Sequence, residues 1–300
     1  MRRSRAVTAA ALLAFALLAV GCSTLRLAYD QGPTLVYWWL DRYVDFAPDQ
    51  SPRVRTALAQ WFARHRRDHL AEDVALLDQA ALEIRKDLSP AQACSWWGRY
   101  EKKRDLYLGQ LAPALAEIAP MLSPSQWQHI QAHFDQTNDD WRDDNLDSEP
   151  HKRERSAVER VVDRAESLYG RLDREQREFV AERMRRSAWE PQRWFDERLV
   201  DQRDTLQALR DLAKPGHAPT AQLETARAML VRVVQPSSEA MRQYRARLLE
   251  DQCAFAAELH NRSHPAQRQK ASDKLSGWAQ DLRVFLPATA LSANPAPAVP

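Results

Sequence analysis

Glycine is scarce, with seven in 300 residues. A phosphate-cradling loop, a GxGxxG turn and a GxSxG nucleophile elbow each need glycines within a few positions, and none of these patterns occurs. Runs of β-branched residues are also rare. The chain is instead rich in Ala, Leu, Arg, Glu, Gln and Asp, a composition that favours helix along nearly its whole length. Cysteine occurs three times, at Cys22, Cys94 and Cys253, with no CxxC pair, which speaks against thioredoxin-like redox chemistry. Long apolar runs are missing too: the uncharged stretch Ala6–Val20 is too short to cross a bilayer comfortably.

What Ala6–Val20 does resemble is the core of a secretory signal, since Arg2, Arg3 and Arg5 supply a cationic start. The run closes in LLAVGC, with Gly21 directly before Cys22, the ending of a bacterial lipobox. Residues 1–21 are therefore expected to be cleaved, Cys22 to carry a diacylglyceryl group, and residues 22–32 to form a short tether. This places the protein in a bacterial envelope, lipid-anchored and facing the periplasm. Ser23 rather than Asp after the cysteine favours the outer membrane over the inner. Subtracting the three signal arginines from the formal charge of +2 leaves −1, so the mature body has no general drive toward nucleic acid or anionic lipid. In an oxidising compartment the remaining pair, Cys94 and Cys253, is expected to form a disulfide, the alternative being two buried thiols. Closing a loop of about 160 residues would stabilise the fold by up to about 5 kcal/mol in the chain-entropy model.

Several segments open with the same local chemistry: SPRV at Ser51, LSPAQ at Leu88, LSPSQ at Leu122, LDREQ at Leu172 and HPAQ at His264. In the LSPxQ cases Ser caps, Pro occupies the first helical position and Gln the third, a capping box with a proline whose missing N–H costs nothing. With apolar residues recurring at helical spacing, these starts predict helices over 34–47, 51–87, 90–120, 124–146, 150–169, 174–187, 191–213, 219–235, 238–262 and 265–286. The expected fold is all-α, an elongated bundle of about 8–11 helices with little or no β-sheet. The body, residues 33–286, is one unit or two packed bundles, with its weakest joint in KPGHAPT at 214–220. The Pro/Ala-rich tail, 287–300, is expected to be disordered.

Candidate chemistry is thin, and no catalytic residue is assigned. His65 and His69 lie at i and i+4, but Arg64, Arg66 and Arg67 would repel a dication. His129 and His133 repeat that spacing near Asp135 and Asp139 and are the better metal candidates, though a polar helix face explains them equally. Asp143, Asn145, Asp147 and Glu154 fall at calcium-loop positions 1, 3, 5 and 12, but Ser148 stands where the sharp turn needs Gly. No cofactor is implied. Ten tryptophans are read chiefly as core, with peptide, glycan or lipid contacts as the alternative. In TLVYWWLDRYVDF, Thr34–Phe46, a helical wheel puts Leu35, Val36, Tyr37, Trp39, Leu40, Tyr43, Val44 and Phe46 on one arc, leaving Trp38 for an exposed contact.

LRLAYDQGPTLVYWWLDRYVDF after the lipobox, RAESLYGRLDREQ at 164–176 and CAFAAELHNRSHPAQRQKA at 253–271 resemble an uncharacterised family of proteobacterial lipoproteins, a domain of unknown function. The resemblance implies a lipid-anchored envelope protein and brings no activity or active site. LSPAQ and LSPSQ are also similar, at motif level, to the LTxxQ helix starts of periplasmic chaperones of the Spy and CpxP kind. The expected function is a non-catalytic lipoprotein, held to the membrane by its N-terminal lipid, whose helical body binds another envelope component or a client polypeptide. The alternatives are a metal-dependent envelope hydrolase and a purely structural lipoprotein that maintains envelope integrity.

Overall fold

The computed structural model describes residues 24–214 and 218–287. Cys22, the signal segment and all but Pro287 of the tail lie outside the described residues. The regular structure is helical, and no strand occurs among the described residues. In chain order the helices are α1 (Thr24–Asp30), α2 (Gly32–Val44), α3 (Ser51–Asp68), α4 (Leu70–Glu83), α5 (Pro90–Gly109), α6 (Ala112–Ile118), α7 (Pro124–Arg142), α8 (Pro150–Tyr169), α9 (Arg174–Arg185), α10 (Pro191–Leu212), α11 (Pro219–Arg232), α12 (Glu239–Asn261) and α13 (Pro265–Arg283). The all-α multi-helix class expected from composition is the one observed. The two longest expected helices are divided, 51–87 at His69 and 90–120 at Gln110, and these breakers face each other: the Gln110 amide lies 2.6 Å from His69 Nε2. Thr24–Asp30, which sequence assigns to the tether, is helical.

Five helix starts share one register, and four of them lock together in pairs. Sequence identifies SPAQ, SPSQ, DREQ and HPAQ. The fifth is Ala47–Pro48–Asp49–Gln50, in which Gln50 Oε1 accepts from the Ala47 N–H at 2.9 Å. Gln50 and Gln126 exchange amide hydrogen bonds of 3.0 and 2.6 Å, each donating its second N–H to a loop carbonyl, Met121 O and Asp45 O. Gln176 and Gln267 do the same at 2.7 and 3.0 Å, onto Arg262 O and Arg171 O. A capping box ordinarily satisfies only its own helix end. Here each capping glutamine also joins two helix starts 76 or 91 residues apart in sequence. The remaining box, Ser89 with Gln92, stays exposed and unpaired with another start.

Apolar burial is split among several small cores rather than gathered in one. The first links α6, α7, α10 and α11 through Ala112, Ile130, Leu206, Leu212 and Ala226. Another joins α4 to the C-terminal α13 through Leu70, Val74 and Ala279, with Leu25 and Tyr29 of α1 packed onto it. A third, around Val162, Leu172, Val180 and Leu259, holds α8, α9 and α12. Glycine is used sparingly but pointedly. Gly32 starts α2 against the Phe62 ring, where a Cβ would collide, and Gly170 ends α8 at φ 77°, a conformation costly for other residues.

Two buried tyrosine–histidine pairs tie distant segments. Tyr29 Oη lies 2.8 Å from His65 Nδ1, and His65 Nε2 lies 3.0 Å from Asp73 Oδ2. With Nε2–H donating to the carboxylate, Nδ1 is left to accept the tyrosine hydroxyl. Tyr107 and Lys103 donate to the same Asp73. Burial opposes charge on Asp73, but the hydrogen bonds from His65, Tyr107 and Lys103 hold its carboxyl below the ordinary range. In the second pair Tyr169 Oη meets His260 Nδ1 at 2.9 Å, and His260 Nε2 meets Lys86 O at 2.7 Å. Burial pushes Tyr169 up to about 12 and His260 down. The pairs clasp helices, and the first clasps α1, the segment nearest Cys22.

Candidate functional site

α5 is a long helix that buries no residue. It is held by polar and covalent links instead. Trp96 Nε1 donates to Glu83 at 2.9 Å, Arg99 donates to Gln79 at 2.9 Å, and a disulfide joins Cys94 to Cys253 of α12, with Cα atoms 5.3 Å apart. One turn past Cys94, Trp97 faces a cavity of about 960 Å³ whose opposite walls are α8, α9 and α12 and whose end is closed by Trp189, Trp194, Val234 and Pro236. The disulfide thus sets the separation of two groove walls.

Six arginines line this groove: Arg104 of α5, Arg160 and Arg164 of α8, Arg183 of α9, and Arg242 and Arg245 of α12. The acids are two, Glu101 and Asp251, and lysine is absent from the lining. Arg183 lies 2.9 Å from Asp251 with its guanidinium over the Phe255 ring, and Arg245 lies over Trp194, 3.9 Å from the buried Glu197. Arg160 has only the Asn145 amide oxygen at 3.5 Å, and Arg164 has no ion pair among the described residues. Nε of Arg183, Nε of Arg245 and Nε1 of Trp194 are buried without an acceptor. A buried donor left unpaired costs on the order of 1–3 kcal/mol, and these three come from three different helices around the groove, α9, α12 and α10. A second cavity of about 290 Å³ continues the groove past Asn145, Ala157, Arg160, Met184, Ser187 and Trp189, all of which line both.

Behind the groove Glu197 accepts from the Ser237 N–H and hydroxyl, fixing the turn into α12. Burial and then the Glu197 charge push the neighbouring Asp201 up to about 6. A carboxyl raised in the folded state takes up protons on folding, so stability is lost as pH rises from about 4 to about 6. Asp201→Asn should remove that loss. Thermal melts should show the variant more stable at pH 7 by about 1–2 kcal/mol, below the full conversion of the shift because the site is partly solvated, with the two chains converging near pH 4. Equal pH dependence in both would show that Asp201 is not the group responsible.

The residues singled out from sequence fall elsewhere. His129 Nε2–H donates to Arg42 O at 3.0 Å, and the His133 ring packs 4.0 Å from that of Tyr43. The two histidines hold α7 against α2. No group of three or more His, Cys, Asp or Glu side chains able to hold a metal occurs among the described residues. The acidic run at 143–147 continues α7 as a π-helical turn rather than opening into a calcium loop. Trp38 is 59% exposed, but so is Trp39 at 58%, with Leu35 beside them. The buried arc is narrower than the helical wheel predicts: α2 buries Tyr37 and packs Val36 and Leu40 onto α3, which leaves the 35, 38, 39 face outside. The groove arginines were not foreseen, because they are scattered from 104 to 245 and each resembles an ordinary solvated helix residue.

These features define an all-α protein whose main cavity is a basic, aromatic-walled groove. The chain belongs to a family of unknown function (DUF6279), which matches residues 42–226, more than half of its length. That match ends before α12, the helix that supplies Cys253, Arg242 and Arg245. No curated protein and no solved structure matches the chain. No helix among the described residues is long and apolar enough to cross a membrane.

Proposed function

We propose that this is a non-catalytic lipoprotein, anchored through Cys22 to the periplasmic face of a bacterial envelope membrane, more specifically the outer one, and that its helical body binds another envelope component in the arginine-lined groove. The groove is the observation that carries this reading: a concave, largely apolar surface with a few convergent polar groups is what a binding site requires. Anchoring and binding fit together, because α1 begins at Thr24, two residues after Cys22, and is clasped to the body through Tyr29 and His65. The body would therefore be carried close to the membrane surface rather than on a long leash.

Two experiments test the two halves separately. The wild type should incorporate labelled palmitate and fractionate with membranes, and Cys22→Ala should do neither. A variant that stays membrane-bound, with no label in the wild type, would remove the anchor. A photoreactive residue placed at Trp97 should crosslink reproducibly to one envelope component in cells, and the same residue at the exposed Arg203, outside the groove, should not. Identical patterns from both positions would remove the groove as the binding surface.

A further inference from the structure

We infer that the ligand of the groove is an anionic amphiphile, a molecule with a phosphate or carboxylate head on an apolar chain. The inference rests on the binding role proposed above and names the chemistry of its occupant.

The head follows from charge. Four of the six guanidiniums already meet carboxylates, Arg104 at Glu101 and Asp105, Arg183 at Asp251, Arg242 at Glu239 and Arg245 at Glu197, which leaves the charge of Arg160 and Arg164 uncompensated on a body whose net charge is near zero. Arg160 and Arg164 stand one helical turn apart on α8 with no acid partner among the described residues, so an incoming anion displaces no ion pair there. Guanidinium rather than ammonium is the matching chemistry, since its planar fork pairs with two oxygens of one phosphate or carboxylate.

The chain follows from what the walls cannot offer. An extended peptide brings a carbonyl and an N–H at every residue, each of which needs a partner once out of water. Most of the groove is walled by helices, whose interior backbone groups are already used internally, with only Ser187, Trp189, Val234 and Pro236 from the connections between them, and it has no sheet edge to extend. Its neutral hydrogen-bonding side chains are Asn145, Ser187 and Gln252, with the indole N–H groups of Trp97, Trp189 and Trp194, and among these acceptors are few. Val161, Leu249 and Phe255 beside Trp97 form instead an apolar strip that an alkyl chain covers without unpaired polar groups. The opening into the adjoining cavity gives the ligand length as well as depth.

The test is calorimetric titration of the full chain carrying Cys22→Ala, disulfide intact, so that no acyl group of its own competes. Dodecyl phosphate below its micellar concentration should bind, and dodecyl maltoside, with the same chain and a neutral head, should bind at least about ten-fold more weakly. Inorganic phosphate, the head alone, should be weaker still. Laurate as a further ligand separates a fatty-acid source from a phospholipid one: tighter binding than dodecyl phosphate assigns the carboxylate, weaker binding the phosphate. Arg160→Ala/Arg164→Ala should weaken dodecyl phosphate about ten-fold or more at unchanged melting temperature, while Arg160→Lys/Arg164→Lys retains part of the affinity. Equal binding of the neutral and anionic detergents, no effect of the alanine pair, or tighter binding of poly-glutamate would overturn the inference, the last in favour of an acidic polypeptide. If dodecyl phosphate fails while crosslinks from the Trp97 position persist, the ligand class is wrong and the groove's binding role stands. Loss of both removes the binding role as well.

Discussion

Replacing Cys94 and Cys253 together by alanine is expected to lower the free energy of unfolding by about 2–5 kcal/mol. Alanine is the better replacement because Cys253 is buried, and serine would add a hydroxyl without an assured partner. The expected size rests on two facts that act in the same direction. The bridge joins residues 159 apart, so it removes much of the conformational freedom of the unfolded chain. It also anchors a helix, α5, that buries no residue and would otherwise be held by a few polar contacts to α4 and packing on α12. Urea denaturation should therefore show a lower midpoint for the variant, and wild type in excess reductant should coincide with it. Amide exchange should rise first in residues 90–109, the wall of the groove, before the α4–α13 core follows. Unchanged midpoints would mean that the helices are positioned without the bridge. A uniform rise in exchange would mean that the bridge stabilises the whole body and not the groove in particular.

How far the sequence foretold these features depends on how local each one is. Helix starts were legible because a cap is written in four consecutive residues: Ser123 and Asp173 each bond the backbone of a glutamine three positions on, as their sequences predict. The pairing of those glutamines was not legible, since SPAQ at Ser89 follows the same S-P-x-Q pattern as SPSQ at Ser123 and remains alone. Only the path of the chain decides which starts meet. The Cys94–Cys253 bond was inferable across a long separation because compartment and an even count narrow the choice to one pair. The groove had no such aid. Net charge averages over the surface, and two unpaired arginines on α8, beside ion-paired ones from α5, α9 and α12, do not show in the sum. His65 was set aside as a metal ligand because of its cationic neighbours. The structure uses it instead between Tyr29 and Asp73, a role that depends on partners 36 residues before and 8 after.

The same four-letter motif should have two very different energetic weights. Gln92→Leu, in the exposed box at the start of α5, should cost at most about 1 kcal/mol, the ordinary worth of a reciprocal cap interaction. Gln176→Leu, at the start of α9, should cost about 2–4 kcal/mol. Gln176 is 2% exposed and makes four hydrogen bonds: it accepts from the Asp173 N–H and from Gln267 Nε2, and donates to Gln267 Oε1 and Arg262 O. Leucine fills a similar volume but pairs with none of them, so the Arg262 carbonyl and the Gln267 amide lose partners in a partly buried site. Gln176→Leu/Gln267→Leu should then cost less than the two single changes added, because removing the second amide removes groups that the first change had stranded. Equilibrium denaturation of the four variants measures all of these quantities. If Gln92→Leu and Gln176→Leu cost the same, the glutamine only caps its own helix. If the double variant is additive, the two amides act independently, and the interlocked starts are not what holds α9 and α13 together.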